Sequence, residues 1–160
     1  MLSVLTESRS GRWHFLIQEY SGEDATSIAP IRFRCCQDGR CPGFPSEDAA
    51  MRAGKTFKAL FEETSSWDIP SKACALWQYL AKQYPDEEVV PVPYASSAGG
   101  IKIQMYLAGR AHDVRVSRKF LNDHDADGMR DFFVYHDLIS VIAAAGEKPV
   151  YINNRISVLE

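Results

Sequence analysis

The feature that most constrains this chain is an abrupt change of character between Asn122 and Gly146, NDHDADGMRDFFVYHDLISVIAAAG. Five aspartates fall between Asp123 and Asp137, and no charged residue follows from Leu138 to Gly146. Met129, Phe132, Phe133, His136, Ile139 and Ala143 recur at three- and four-residue steps, the spacing of one helix face. Val134, Leu138, Val141, Ile142 and Ala145 cover most of the other faces. The pattern predicts a helix over about 129–145 that is apolar nearly all round, hence buried on several sides and central to the fold. It is too short to span a bilayer, which takes about 20 apolar residues. Gly146 stands as its stop, with Pro149 just beyond.

The segment before it carries Asp123, Asp125 and Asp127 at alternate positions, then Gly128, then Asp131. Alternating acids followed by a glycine suit a chain that curls its oxygens around a hard cation. The start resembles an EF-hand loop, and D-x-D-x-D-G-x-x-D is also similar to the calcium repeats of thrombospondin-type proteins. Either resemblance implies Ca²⁺ held by Asp123, Asp125, Asp127 and Asp131. It covers about nine residues, and Val134 stands where an EF-hand places its bidentate glutamate. The competing account is a solvated acidic loop beside a helix N-terminus, where the macrodipole favours each carboxylate by about 0.3–1 kcal/mol.

Around this centre the chain predicts an α+β fold of short antiparallel β-hairpins packed on three helices. Residues 1–11 are polar and expected to fray, and the opening MLSVLTESRSGRW has no long apolar core of the kind a signal peptide needs. Trp13 to Tyr20 and Ile28 to Cys36 alternate as strands, and Asp38-Gly39 suits a hairpin turn. Ser46, followed by Glu47 and Asp48, caps a helix running to about Glu63. Gly54 inside that helix costs roughly 1 kcal/mol relative to alanine, so close packing against the hairpin is expected there. Ser71 is expected to cap a second helix that ends near Gln83. Ile101 to Leu107 alternates cleanly and turns at Gly109-Arg110 into a returning strand. Val150 to Ile152 and Arg155 to Leu159, either side of Asn153-Asn154, predict a terminal hairpin.

The stretch PDEEVVPVPYASSAGG, Pro85 to Gly100, is rich in proline, serine and glycine and predicts a connection without structure of its own. It divides the chain into 1–85, with a hairpin and two helices, and 101–160, with a hairpin, the acidic loop, the core helix and the terminal hairpin. The length is also compatible with one compact domain.

Several classes of function are disfavoured. With 18 basic and 21 acidic residues, the excess acid all lies after Pro85, which makes nucleic acid an unlikely partner. Hairpin-then-helix is also the ending of a double-stranded-RNA-binding domain, but Glu47 and Asp48 would repel phosphate at the helix start. Nothing has the length of a membrane span. Cys35, Cys36, Cys41 and Cys74 are too few and clustered for a disulfide framework, which suits a reducing cytoplasm. Cys35, Cys36 and Cys41 with His14 make an incomplete zinc set, so reduced thiols are the simpler reading. Arg32 and Arg34, and Arg110, Arg115, Arg118 and Lys119, suit either phosphate recognition or the solvent face of two half-buried sheets.

No phosphate-binding, dinucleotide, nucleophile-elbow or zinc-protease motif is present in the sequence. Three His-Asp pairs, at His112, His124 and His136, resemble those of metal-dependent HD-type phosphohydrolases, which implies hydrolysis around His124, His136 and the aspartates. The leading expectation is instead a small soluble, non-enzymatic regulator, inhibitor or immunity-type factor acting through contacts with another protein. Trp67, Tyr84 and Tyr94, beside the two linkers, are the expected contact residues, since aromatics dominate interface energetics. A calcium-stabilised structural domain is the remaining alternative.

Overall fold

The computed structural model describes residues 1–20, 30–34, 42–84, 88–93 and 100–160. They form two sheets and five helices, an α+β arrangement. The first sheet has the order β1-β2-β3, with β1 Leu2–Arg9, β2 Arg12–Glu19 and β3 Ile31–Arg34, all antiparallel. Ser10 and Gly11 join β1 to β2 with φ of 51° and 78°, the positive pair that lets a two-residue turn follow the strand twist. The expected fraying at 1–11 is therefore corrected. Leu2 and Val4 are half-buried against the core, and β1 pairs with β2 along its whole length.

Helix α1, Glu47–Thr64, starts as its sequence predicts, with Ser46 Oγ accepting from the Ala49 amide at 3.1 Å. Ala50, Ala53, Phe57 and Leu60 are buried against the first sheet, where Phe15 and Phe57 stack at 5.1 Å. A β-carbon at Gly54 would overlap Val4 Cγ1 and stand 3.0 Å from Phe15 Cβ. The glycine thus marks the closest approach of helix and hairpin. Helix α2, Asp68–Gln83, begins three residues before the expected cap at Ser71. Pro70 lies within its first turn, where a missing amide proton costs the helix nothing. Ala73, Leu76, Trp77, Leu80 and Ala81 form its buried stripe.

The second sheet has the order β4-β5-β6-β7-β8: Glu88–Pro93, Ile101–Leu107, Arg110–Val116, Val150–Ile152 and Ile156–Val158. The expected structureless connection is thus partly a strand, β4, paired along β5. Trp77 Nε1 donates to the Val89 carbonyl at 2.7 Å and ties α2 to this strand. Ala108 and Gly109, at φ 51° and 77°, close the β5–β6 hairpin just as Ser10 and Gly11 close the first. All pairs are antiparallel except β6–β7, which is parallel. A parallel pair requires a crossover. Here it consists of α3 Arg118–Asp123, α4 Ala126–Tyr135 and α5 Leu138–Ala145.

The single helix expected over 129–145 is therefore two. Asp137, at φ 48° and ψ 57°, leaves the helical region, and its Oδ1 accepts from the Ser140 amide at 3.4 Å to cap α5. Nor is this helical unit the central one. Met129, Phe133, Leu138 and Ile142 face the core, whereas Val134 and Tyr135 are 69% and 85% exposed. The most continuously buried helix is α2, with every residue from Lys72 to Trp77 inside. Residues of both sheets and all five helices join one hydrophobic cluster.

Candidate functional site

The crossover helices are where the sequence placed its chemistry, so the site is built from them. Ser117 opens α3: its Oγ accepts from the Phe120 amide at 3.1 Å and donates to Asn153 Oδ1 at 2.8 Å. One turn on, Lys119 donates to Asp123, and that hydrogen bond, with the lysine's charge, holds the Asp123 carboxyl below its usual range. Asp125 caps α4, its Oδ1 accepting from Gly128 N at 2.7 Å. Asp127 pairs with Arg130 at 2.9 Å, and Asp131 is exposed on the same helix.

The aspartates do not curl around a common point, because α3 and α4 leave only His124 and Asp125 between them. An EF-hand loop wraps its ligands around the ion over about 12 residues of turning backbone. Asp123, Asp125 and Asp127 each satisfy a local helix group instead. Among the described residues no three His, Cys, Asp or Glu side chains come together as a metal shell.

The histidines are also held locally. His124 Nδ1 lies 2.9 Å from the Phe120 carbonyl, and its ring stacks on Phe120 at 4.1 Å. His136 packs on Phe132 at 4.3 Å. His124 also meets Phe132 edge-on at 5.8 Å, so both imidazoles touch that ring. His112 and Asp113 occupy successive β6 positions and so face opposite sides of the sheet.

The expected contact aromatics are less exposed than their positions suggest. Trp67 is half-buried, stacked on Phe61 at 4.0 Å and Phe33 at 5.2 Å. Tyr84, at the end of α2, is half-buried against the core, and that burial raises its phenol above the ordinary value. Tyr94 lies outside the described residues, as do Cys35, Cys36 and Cys41. Cys74 is a buried thiol, with its sulfur 3.5 Å from Gln78 Nε2. His14 is buried as well, and desolvation lowers its pKa, with Arg9 acting in the same direction.

What periodicity missed is the outer side of α4. Asp127, Asp131 and Val134 follow one another at helical spacing along a single face, and Tyr135 lies beside Asp131 one turn on. Tyr135 meets its neighbour His136 edge-on at 5.0 Å, and beyond the kink Asp137, Ser140, Ala143 and Ala144 are exposed. The result is a bare aliphatic and aromatic pair bordered by three exposed carboxylates, those of Asp127, Asp131 and Asp137. A trace of it was in the sequence: a helix apolar on every side has one side more than a core can cover. No protein-family model, no curated protein and no solved structure matches this chain.

Proposed function

We propose that this chain is a small binding protein that docks a partner protein through the outer edge of α4 and α5. The observation that carries this reading is the adjacent pair Val134 and Tyr135, 69% and 85% exposed on a regular, capped helix. Burying such side chains in a partner pocket is worth roughly 1.5–3 kcal/mol each. Tyrosine is among the residues that most often anchor interfaces, and a helical edge presents it without loop-ordering entropy. The surrounding carboxylates of Asp127, Asp131 and Asp137 select a basic partner surface and speed encounter in a salt-dependent way. No helix among the described residues is long and apolar enough to cross a membrane.

The test is site-specific photo-crosslinking in the cell of origin, with the reactive group at position 135 or, as a control, at the exposed Ser71. An adduct specific to position 135, and lost when Asp127 and Asp131 are both changed to lysine, supports the proposal. Equal crosslinking from both positions, or an adduct indifferent to the charge reversal, refutes it.

A further inference from the structure

A second surface lies on the opposite side of the five-stranded sheet, where the pairing register aligns chemistry across four strands. Lys102 pairs with Arg115, Arg115 with Tyr151, and Tyr151 with Ser157. Their neighbours Ile101, Ile103, Val114, Val116, Val150 and Ile152 are buried, so the pleat sends this row to the outer face. Adjacent strands stand about 4.8 Å apart, which places the row's middle members within reach of one small ligand. At its β7–β8 end the face hollows into a groove of about 620 Å³ lined by Tyr151, Asn153, Asn154, Arg155 and Ser157. That volume falls within the range of sites for small molecules.

The side chains here are rich in donors and net positive. Lys102 and Arg115 face a single described carboxylate on this strip, Asp113, whose Oδ2 lies 3.9 Å from Lys102 Nζ and 3.6 Å from Arg115 Nη2, and Arg155 adds a third cation at the groove. Both separations exceed hydrogen-bond range. Asp113 Oδ1 and Arg115 Nε are both shut from solvent without a hydrogen-bond partner among the described residues. The guanidinium is therefore attracted to its carboxylate without being latched to it. An anion that let Arg115 turn toward the groove would improve on the empty arrangement. Asn153 Oδ1 already accepts from Ser117 Oγ at 2.8 Å, which leaves the amide nitrogen of Asn153 as the outward donor.

We infer that this strip is a binding site for a small phosphate monoester, its phosphate held by Arg115 and Arg155 and by the hydroxyls of Tyr151 and Ser157. Three cations against one carboxylate leave two positive charges, which match a phosphate monoester carrying about −1.5 to −2 at pH 7. Arginine forks also fit phosphate oxygens in pairs. The site is independent of the α4–α5 edge and shares no residue with it.

Calorimetric titration with glycerol 3-phosphate at constant ionic strength, alongside amide chemical-shift mapping, tests the inference. Saturable binding is expected, with shifts concentrated at 102, 113–115 and 151–157. Arg115→Gln and Arg155→Gln should each weaken it about tenfold or more, the loss of one charged hydrogen bond. Asp113→Asn should tighten binding several-fold, because it removes the competing carboxylate. Arg155 is exposed on a turn, so its variant leaves the fold intact and keeps the test valid should Arg115→Gln unfold. A non-saturating response, shifts spread over the surface, or an Arg155→Gln protein that binds as before overturns the proposal. So does an Asp113→Asn protein with weakened binding and an unchanged melting temperature.

Discussion

Replacing Gly54 by alanine sets two known effects against each other, and the contact geometry decides between them. In an exposed helix interior the change stabilises by about 1 kcal/mol, because glycine has more backbone freedom to lose. In α1 the new methyl would overlap Val4 Cγ1 and stand 3.0 Å from both Cβ and Cγ of Phe15. Phe15 is fully buried and stacked on Phe57, so it has nowhere to retreat. Val4 is branched at Cβ and stiff, and it sits on a strand paired along its whole length. Overpacking of this kind costs about 1–3 kcal/mol. The net expectation is a loss of up to about 2 kcal/mol, or a fall of up to about 6 °C in melting temperature for a chain of this size.

Urea denaturation followed by tryptophan fluorescence measures this directly, and Val4→Ala supplies the control. Removing the Val4 methyls clears the nearer clash, so Gly54→Ala in that background should become neutral or stabilising. The double-mutant cycle should show a coupling of about 1 kcal/mol or more. If Gly54→Ala instead raises the urea midpoint equally in both backgrounds, the hairpin is not seated on α1 as described and the reasoning fails.

Trp67→Ala should destabilise by about 2–3 kcal/mol, because the half-buried indole is stacked on Phe61 and Phe33, and urea denaturation of the purified protein measures it. The His14 imidazole has its pKa lowered by burial, so the unfolded chain binds its proton more readily. Stability should therefore decline as pH falls from about 6.5 toward the lower folded value and level off below it. Melting temperatures across that window should flatten in a folded His14→Gln variant.

Much of the fold was legible wherever a local pattern and its tertiary use coincide. The Ser46 cap, the alternation of Ile101 to Leu107 and the close approach at Gly54 each belong to this class. The missed elements share a different cause. β1 is an edge strand with one half-buried face, so Ser3, Glu7 and Ser8 dilute its alternation. β4 carries Pro91 and Pro93, which argue against a central strand but are tolerated at the edge that β4 forms. The second helix starts ahead of the expected Ser71 cap because Pro70 is accommodated in its first turn. At the site, the aspartates announced themselves by spacing, yet spacing does not distinguish oxygens that converge on a cation from oxygens that cap successive short helices. The exposure of Val134 and Tyr135 was hidden for a similar reason: periodicity counts apolar faces and cannot say which ones find a neighbour.

The break at Asp137 connects these observations through geometry. β6 ends at Val116, and β7 begins at Val150, opposite Val114. The crossover must therefore return almost to the level at which it left. A straight helix over 129–145 would carry the chain about 25 Å and need an equally long return. Helices α4 and α5, of 10 and 8 residues, span only about 15 and 12 Å, and the left-handed Asp137 redirects the chain between them. Asp137 suits that corner, since a short polar side chain tolerates the left-handed region and caps the next helix from the same position. Met129 and Phe133 of α4 and Leu138 and Ile142 of α5 are all buried in the core. What remains at the bend, Val134 and Tyr135, faces away from the core as a consequence of closing the parallel pair. The exposed edge is thus produced by the same residues that complete the sheet. A substitution that straightened the bend would remove the edge only by breaking the pairing of β6 with β7.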